Sequence, residues 1–283
     1  MVARTSPTER QKRLGGEVRK MRLAAGVSAE EAAGLLGVDR SKVSNIEQGI
    51  RAISEERVRT LACNCDCGDK AYIEALVEMA GPRPKQWWDR YRGSLSSALL
   101  DIAELEAHAR RIRSAHSVHI PGLLQTADHA MAVFRVVVPQ LPEQEVALRL
   151  AYRVERQQVL RGSDPTPYFG IVHEAALRMQ FGGRRVARAQ LEHLLAVSER
   201  DNITLLVIPF EAGAFPGAGQ TVNYAEGPVP QLDTVQIDST HGPEFLYGEA
   251  QLAKYRAHLD WMEGIALPPD RSRDFIRDIA RQL

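Results

Sequence analysis

The stretch AEEAAGLLGVDRSKVSNIEQ, Ala29 to Gln48, decides how the first third of the chain is built. Ser28 stands just before it and Glu31 three residues later, the pairing that caps a helix start reciprocally. A helix from there to about Leu36 presents the small Ala33 where a second helix can approach. Gly37, four residues on, suits a turn whose backbone needs positive φ. Asp39 is the expected cap of a helix covering Arg40 to Gln48, which Gly49 stops. Val38, Val43 and Ile46 are spaced to pack that helix onto the one before it. Together these offsets spell a helix-turn-helix.

Working outward, Gln11–Ala25 reads as a preceding helix, with Leu14, Val18 and Met21 on one face and Gly26 as its stop. Ser54 caps a fourth helix, with Glu55 and Glu56 favourably placed in its first turn. A fifth spans Asp69–Ala80. The helix after the turn is then a recognition helix, which enters the major groove by its N-terminal end. Its outward residues are Arg40, Ser41, Lys42, Ser44, Asn45 and Gln48. Arginine binds guanine bidentately and asparagine binds adenine, so Arg40, Ser41 and Asn45 are the candidate base readers. Lys42 and Ser44 are candidates for base or phosphate contacts, and Arg22 and Arg51 for phosphate contacts, which position without reading sequence.

Composition agrees. The 283-residue chain has no net charge, with 36 basic and 36 acidic residues, but the charge is unevenly spread. Residues 1–25 hold seven Lys or Arg against two Asp or Glu, the local excess expected of a DNA-facing segment. No run of eighteen apolar residues occurs and the first twenty residues lack the apolar stretch of a secretory signal, so a cytoplasmic protein without a membrane span is expected. The three cysteines, Cys63, Cys65 and Cys67, have neither a disulfide framework's number nor a usual zinc spacing, and no metal site is expected.

Gly81-Pro82-Arg83-Pro84 cannot continue a helix, which places a boundary there. The expected division is a helix-turn-helix domain over 1–80, a linker over 81–90 and an α+β domain over 91–283. Trp87, Trp88 and Tyr91 form an aromatic cluster expected to anchor the linker. In the last part the expected strands are Tyr168–Val172, Ile203–Ile208, Thr221–Ala225 and Val235–Ile237. They come late and in succession, which predicts a small, mostly antiparallel sheet.

Sharper chemistry finds little footing. His173-Glu174 begins like a zinc-protease helix but Leu177 stands where the second histidine belongs. The glycine-rich segment 213–219 lacks the Lys-Ser/Thr of a phosphate loop. His116, His119 and His129 are read as ordinary polar residues. With no nucleophile–base pair or carboxylate dyad, neither an enzyme nor a cofactor is expected. Arg153, Arg156 and Gln157 share one helical face, while Ala147, Leu150, Val154 and Leu160 make much of a different, apolar one. The arginine face either pairs with acids inside the domain, the simpler reading, or binds an acidic partner or ligand.

Two resemblances extend this reading. Val18-Arg19-x-x-Arg22, Gly26-x-Ser28, Leu36-Gly37-Val38 and Val43-Ser44-Asn45-Ile46-Glu47-x-Gly49 resemble the pattern of Xre/Cro-type repressors. That family often carries glutamine after the serine at the start of the second helix, where this chain has Ala29. In the second part, Ile120-Pro121-Gly122-Leu123-Leu124-Gln125-Thr126, Arg153-x-x-Arg156-Gln157, Glu174-Ala175-Ala176-Leu177-Arg178, Gln190-Leu191-x-x-Leu194-Leu195 and Ile203-x-x-x-Val207-Ile208-Pro209-Phe210 resemble WhiJ-like regulators of actinobacteria. The excess of arginine over lysine, thirty to six, suits a high-GC genome. The resemblance implies a transcription regulator, a homodimer on double-stranded DNA, whose C-terminal domain binds a small BldB-like protein encoded nearby. Gln125, Arg153, Arg156 and Gln157 are its candidate partner- or ligand-contacting residues. An antitoxin-like protein and a metabolite-sensing regulator are the alternative readings.

Overall fold

Side-chain caps from Thr8, Ser28, Ser54 and Asp69 mark where most helices of the first unit begin. In the computed structural model, which describes residues 6–217, 219–239 and 241–283, the chain divides into two compact units, Met1–Arg90 and Tyr91–Leu283. The first five residues, counted in the basic N-terminal segment, and Ala218 of the glycine-rich segment lie outside the described residues.

The first unit holds α1 (Glu9–Ala24), α2 (Ala29–Leu36), α3 (Arg40–Glu47), α4 (Glu55–Asn64) and α5 (Lys70–Ala80). Ser28 and Glu31 form the expected capping box on α2, and Thr8 with Gln11 forms another on α1. Ser54 caps α4 and Asp69 caps α5. Gly37 closes α2 at φ +60°, and the amide of Val38 donates to the carbonyl of Ala33 at 3.0 Å. Leu14, Val18, Met21, Ala33, Leu36, Val43, Ile46, Val58, Leu61 and Leu76 are buried.

Two glycines let α1 lie directly on the end of α3. A Cβ on Gly15 would stand 2.4 Å from the carbonyl oxygen of Ile46, and one on Gly49 would stand 2.6 Å from the backbone nitrogen of Lys12. A buried polar chain also runs through this core. Arg13 pairs with Glu17 at 3.0 Å, and the hydroxyl of Tyr72 donates to Glu17 at 2.5 Å, which ties α5 to α1. Burial, joined by that bond, raises the Tyr72 hydroxyl's pKa far above its ordinary value.

The three cysteines sit at the end of α4 and just past it as free thiols, Cys63 exposed, Cys65 buried and Cys67 half-buried. Burial raises the Cys65 thiol's pKa. Among the described residues no three His, Cys, Asp or Glu side chains gather into a metal-holding group. Residues 81–90, expected as a linker, fall inside the first unit, with Trp87 and Trp88 in edge-to-face contact and Trp88 buried.

The second unit is built on one six-stranded sheet in the order β3-β2-β1-β4-β5-β6. Its strands are β1 (Arg111–His116), β2 (Tyr168–His173), β3 (Ile203–Ile208), β4 (Val222–Glu226), β5 (Thr234–Ser239) and β6 (Gly242–Leu246). β1, β2 and β3 run parallel, and β4, β5 and β6 are antiparallel. The expected small, mostly antiparallel sheet is therefore corrected to a larger mixed one. The helices are α6 (Ser97–His108), α7 (Ala127–Arg135), α8 (Glu143–Arg156), α9 (Glu174–Arg178), α10 (Arg184–Val197), α11 (Glu249–Ile265) and α12 (Pro269–Gln282).

Helices cover both faces of the sheet, and β2 and β3 are apolar on both sides to match. Tyr168 and Val172 of β2 join Leu205 and Val207 of β3 in a core with Leu191, Leu194 and Ile276 from α10 and α12. The alternate residues Phe169, Ile171, Leu206 and Ile208 face a second core with Leu252, Leu259 and Met262 of α11. This alternation is the period-two geometry of strands. No helix among the described residues is long and apolar enough to cross a membrane.

Candidate functional site

Helix α3 turns one face to the core and one to solvent. Val43 and Ile46 are buried, Arg40, Ser41 and Ser44 are exposed, and Lys42 and Asn45 are half-buried. The side chains of Arg40, Ser41 and Asn45 have no hydrogen-bond or ion-pair partner among the described residues. Their donors are therefore open to a ligand. Ser44 accepts a bond from Gln48 at 3.0 Å. Arg51, just past the helix, is exposed.

Two expectations at this site are corrected. Arg22, a candidate phosphate contact, is 7% exposed and points inward. Its Nε and Nη2 donate to the two carboxylate oxygens of Glu47 at 2.5 and 3.1 Å, and its Nη1 donates to the carbonyl of Val27 at 2.7 Å. The bond to Glu47 raises its pKa against the opposing effect of burial. Arg22 thus fastens the C-terminal end of α3 to α1, and Glu47 has already neutralised its charge. Asp39 occupies the expected cap position of α3 but makes no side-chain cap bond. Its carboxylate pairs instead with Lys42 at 2.9 Å, and Lys42's bond holds the carboxyl below its usual range. Exposed pairs of this kind are weak, so Lys42 remains available to a phosphate.

In the second unit, segments far apart in sequence meet in one buried polar network. The amide of Gln190 on α10 donates to the carbonyl of Leu124 at 2.8 Å and accepts from the backbone of Thr126 at 2.7 Å. Gln125 donates to the carbonyl of Ile120 at 2.8 Å and accepts from Arg153 at 2.7 Å. Gln157 donates to the carbonyl of Gln125 at 2.6 Å. Gly122 lies close against the arginine, since a Cβ there would sit 3.0 Å from Nη1 of Arg153. All four candidate residues, Gln125, Arg153, Arg156 and Gln157, lie in or beside this network.

Helix α8 meets the expectation from its hydrophobic pattern only in part: Leu150 packs against a core and Leu160, just past the helix, is buried, but the rest departs from it. Arg156 is buried, while Ala147 is exposed and Val154 is 41% exposed. The reason is Glu106 on α6, which binds Arg156 through both oxygens, Nε donating at 2.9 Å and Nη2 forming a closer second bond. Arg156 and Gln157 are thus structural, as the internal network reading held. Arg153 has no such acid: among the described residues no carboxylate lies within ion-pairing distance of it. Its guanidinium lies 5.0 Å from the ring centroid of Phe134, and its Nε is inaccessible and unbonded. Burial first, then Arg156, lowers its pKa to about 10.

Sequence reasoning passed over what surrounds Arg153. His129 is 1% exposed and neither of its ring nitrogens has a partner. His116 is buried with its Nε2 unpaired. Burial, reinforced by His119, lowers their pKa values to about 4 and about 3, so both are neutral near pH 7. His119 stacks on Phe181 at 5.2 Å, and His129 meets the same ring at 5.5 Å. The histidines were visible in sequence, but nothing in their spacing revealed that His119 and His129 meet on the ring of Phe181.

Comparison with known families adds two findings. A model described as a helix-turn-helix domain matches residues 13–71, from α1 into α5. A second, described as a domain of unknown function (DUF5753), matches residues 99–278, from α6 into α12. No curated protein and no solved structure matches the chain.

Proposed function

The chain belongs to the DUF5753 family and its helix-turn-helix domain makes it a DNA-binding regulator; from that premise we propose that it reads a specific operator through α3, as a cytoplasmic, non-catalytic transcription regulator of the Xre type. The observation that carries this is the unpartnered, outward set Arg40, Ser41 and Asn45 on a helix held rigidly from behind by Val43, Ile46 and the Arg22–Glu47 pair. Arg40 and Asn45 read base edges, and Ser41 assists them. Lys42, Ser44 and Arg51 hold phosphates or neighbouring bases. The protein acts as a homodimer on half-sites about one helical turn, ~34 Å, apart.

The test is binding to the DNA upstream of its own gene, measured over a range of salt concentrations. Wild type is expected to bind tightly, with log K falling steeply against log salt. Arg40→Ala/Asn45→Ala is expected to lose about 1–3 kcal/mol per lost base contact and to bind specific and unrelated DNA alike. Equal affinity of variant and wild type for the operator would remove α3 from base reading.

Protein binding by the second unit is the finer part of the reading. The resemblance to WhiJ-like regulators supports a small BldB-like partner, and so do large apolar side chains left on the surface. Val138 is 92% exposed and Val136, Trp261 and Phe210 are 63, 62 and 55% exposed. Single exposed apolar residues are ordinary, but the run Val136-Val137-Val138 is a partner-like feature. Co-expressed with the small protein encoded beside it, the tagged chain is expected to retain that protein through size exclusion. Retention with no measurable binding to the operator would favour the antitoxin-like reading. Failure to retain it would discard the partner.

A further inference from the structure

We propose that the second unit binds a short zwitterion, a carboxylate and an ammonium joined by an apolar chain of several carbons, in a cavity where the three parallel strands begin; this goes beyond the DNA- and protein-binding readings and does not depend on them.

The cavity measures about 340 Å³. Arg111 of β1 lines one side. Pro167 and Phe169 line the middle, and Asp201, Asn202 and Thr204, at the start of β3, line the other side. Backbone bonds align these segments. The amide of Ile112 donates to the carbonyl of Pro167 at 2.9 Å, and that of Tyr168 donates to the carbonyl of Asn202 at 2.7 Å. With neighbouring strands about 4.8 Å apart, the backbones of the two outer walls stand about 10 Å from one another.

This end of the sheet is polar where the rest of the same face is not. Arg113, Phe169 and Thr204 are register neighbours and share one face, and Arg111, two residues from Arg113, shares it too. Further along, that face is the apolar core under α11. Thr204 is the single polar residue of β3, Ile-Thr-Leu-Leu-Val-Ile. It is half-buried, and its hydroxyl has no hydrogen-bond partner among the described residues.

The charges divide between the two walls. The guanidinium groups of Arg111 and Arg113 stand 5.7 and 5.8 Å from the ring centroid of Phe169. Arg113 is satisfied by Asp260 and Glu263. Arg111 has only Glu226, at 3.7 Å, beyond hydrogen-bond length. Its donors are open to a carboxylate, which a guanidinium holds bidentately. The opposite wall carries acceptors. Asp201 is exposed, with no side-chain partner among the described residues. Asn202 donates through Nδ2 to the carbonyls of Leu160 and Thr166 at 3.4 and 3.2 Å, which leaves its own amide oxygen unbonded among those residues. An ammonium suits that wall as a carboxylate suits Arg111, and Phe169 and Pro167 offer apolar surface to the chain between them. A lone anion would gain nothing from Asp201, and a much shorter zwitterion could not reach both walls. Arg111 is half-buried while Asp201 and Pro167 are exposed, so a ligand reaches these groups from solvent.

The experiment titrates the full chain by calorimetry with ε-aminocaproate and, separately, with caproate and hexylamine, at constant ionic strength. The zwitterion is expected to bind saturably and at least about tenfold more tightly than either singly charged probe. Arg111→Gln is expected to weaken ε-aminocaproate by at least about tenfold and to leave hexylamine unchanged. Asp201→Asn is expected to remove the advantage of ε-aminocaproate over caproate. Both side chains reach solvent, so the variants are expected to fold, and the comparison of the three probes on wild type stands without them. No saturable binding of ε-aminocaproate at millimolar concentration would overturn the proposal. So would equal affinity for ε-aminocaproate and caproate, or binding that both variants leave intact.

Discussion

Glu106→Ala is expected to destabilise the second unit by about 3–5 kcal/mol, the loss typical of a buried ion pair stripped of one partner. Glu106 is the only acid bonded to Arg156 among the described residues, and both side chains are largely removed from water. Burial alone lowers the pKa of Arg156, and Glu106 reverses this and raises it above its ordinary value. Without Glu106, α8 presents two uncompensated guanidinium groups, Arg153 and Arg156, to the same interior. A urea titration that follows the second unit's transition measures the loss. Glu106→Leu/Arg156→Met should recover most of it, because the pair's net contribution is small compared with the penalty of an orphaned charge. A loss below about 1 kcal/mol would mean that the pair behaves as a surface salt bridge.

Two adjacent glycines in α1 should respond in opposite directions. Gly15→Ala is expected to cost the first unit about 3 kcal/mol, at the upper end for overpacking, since its Cβ would meet backbone atoms of Ile46, Glu47 and Gly49 at 2.4–2.8 Å. Backbone cannot swing aside as a long side chain can, so α1 must lift from the end of α3. At about 4–8 °C per kcal/mol for a unit of this size, the melting temperature should fall by well over 10 °C. Gly16→Ala meets nothing within 4 Å and should stabilise by up to about 1 kcal/mol through helix propensity. Because Gly15 seats α3, its alanine variant should also weaken operator binding while the protein is still folded. Similar melting temperatures for the two variants would contradict the close approach of α1 to α3.

Much of the first unit was legible in sequence because its signals are local. A serine cap with its glutamate, a glycine in the left-handed turn and an apolar spacing of three and four residues each act within one or two helical turns. Arg22 shows where that reading stops. A basic residue near a DNA-binding helix looks like a phosphate contact until Glu47, twenty-five residues on, folds back and takes it.

The second unit hid more because its strands gain their partners late. β1 reads Arg-Ile-Arg-Ser-Ala-His, too polar for a central strand by composition. It becomes one because α11 supplies Asp260 and Glu263 to Arg113 at 2.8 and 3.1 Å, and β2 supplies the Tyr168 hydroxyl to Ser114 at 2.5 Å. With β1 unseen, the strand that joins the parallel half of the sheet to the antiparallel half was missing, and the strands that remained looked antiparallel.

Sequence by itself determined the caps of α2 and α4, the turn and the identity of α3 as the outward helix of a helix-turn-helix, since those depend on residues a few positions apart. Tertiary structure alone decided the sheet's mixed order, the inward turn of α8 and the unequal fates of Arg153 and Arg156. The physical reason is that a charge's cost is set by what faces it across space, and Glu106, which pairs with Arg156 and not with Arg153, comes from another helix.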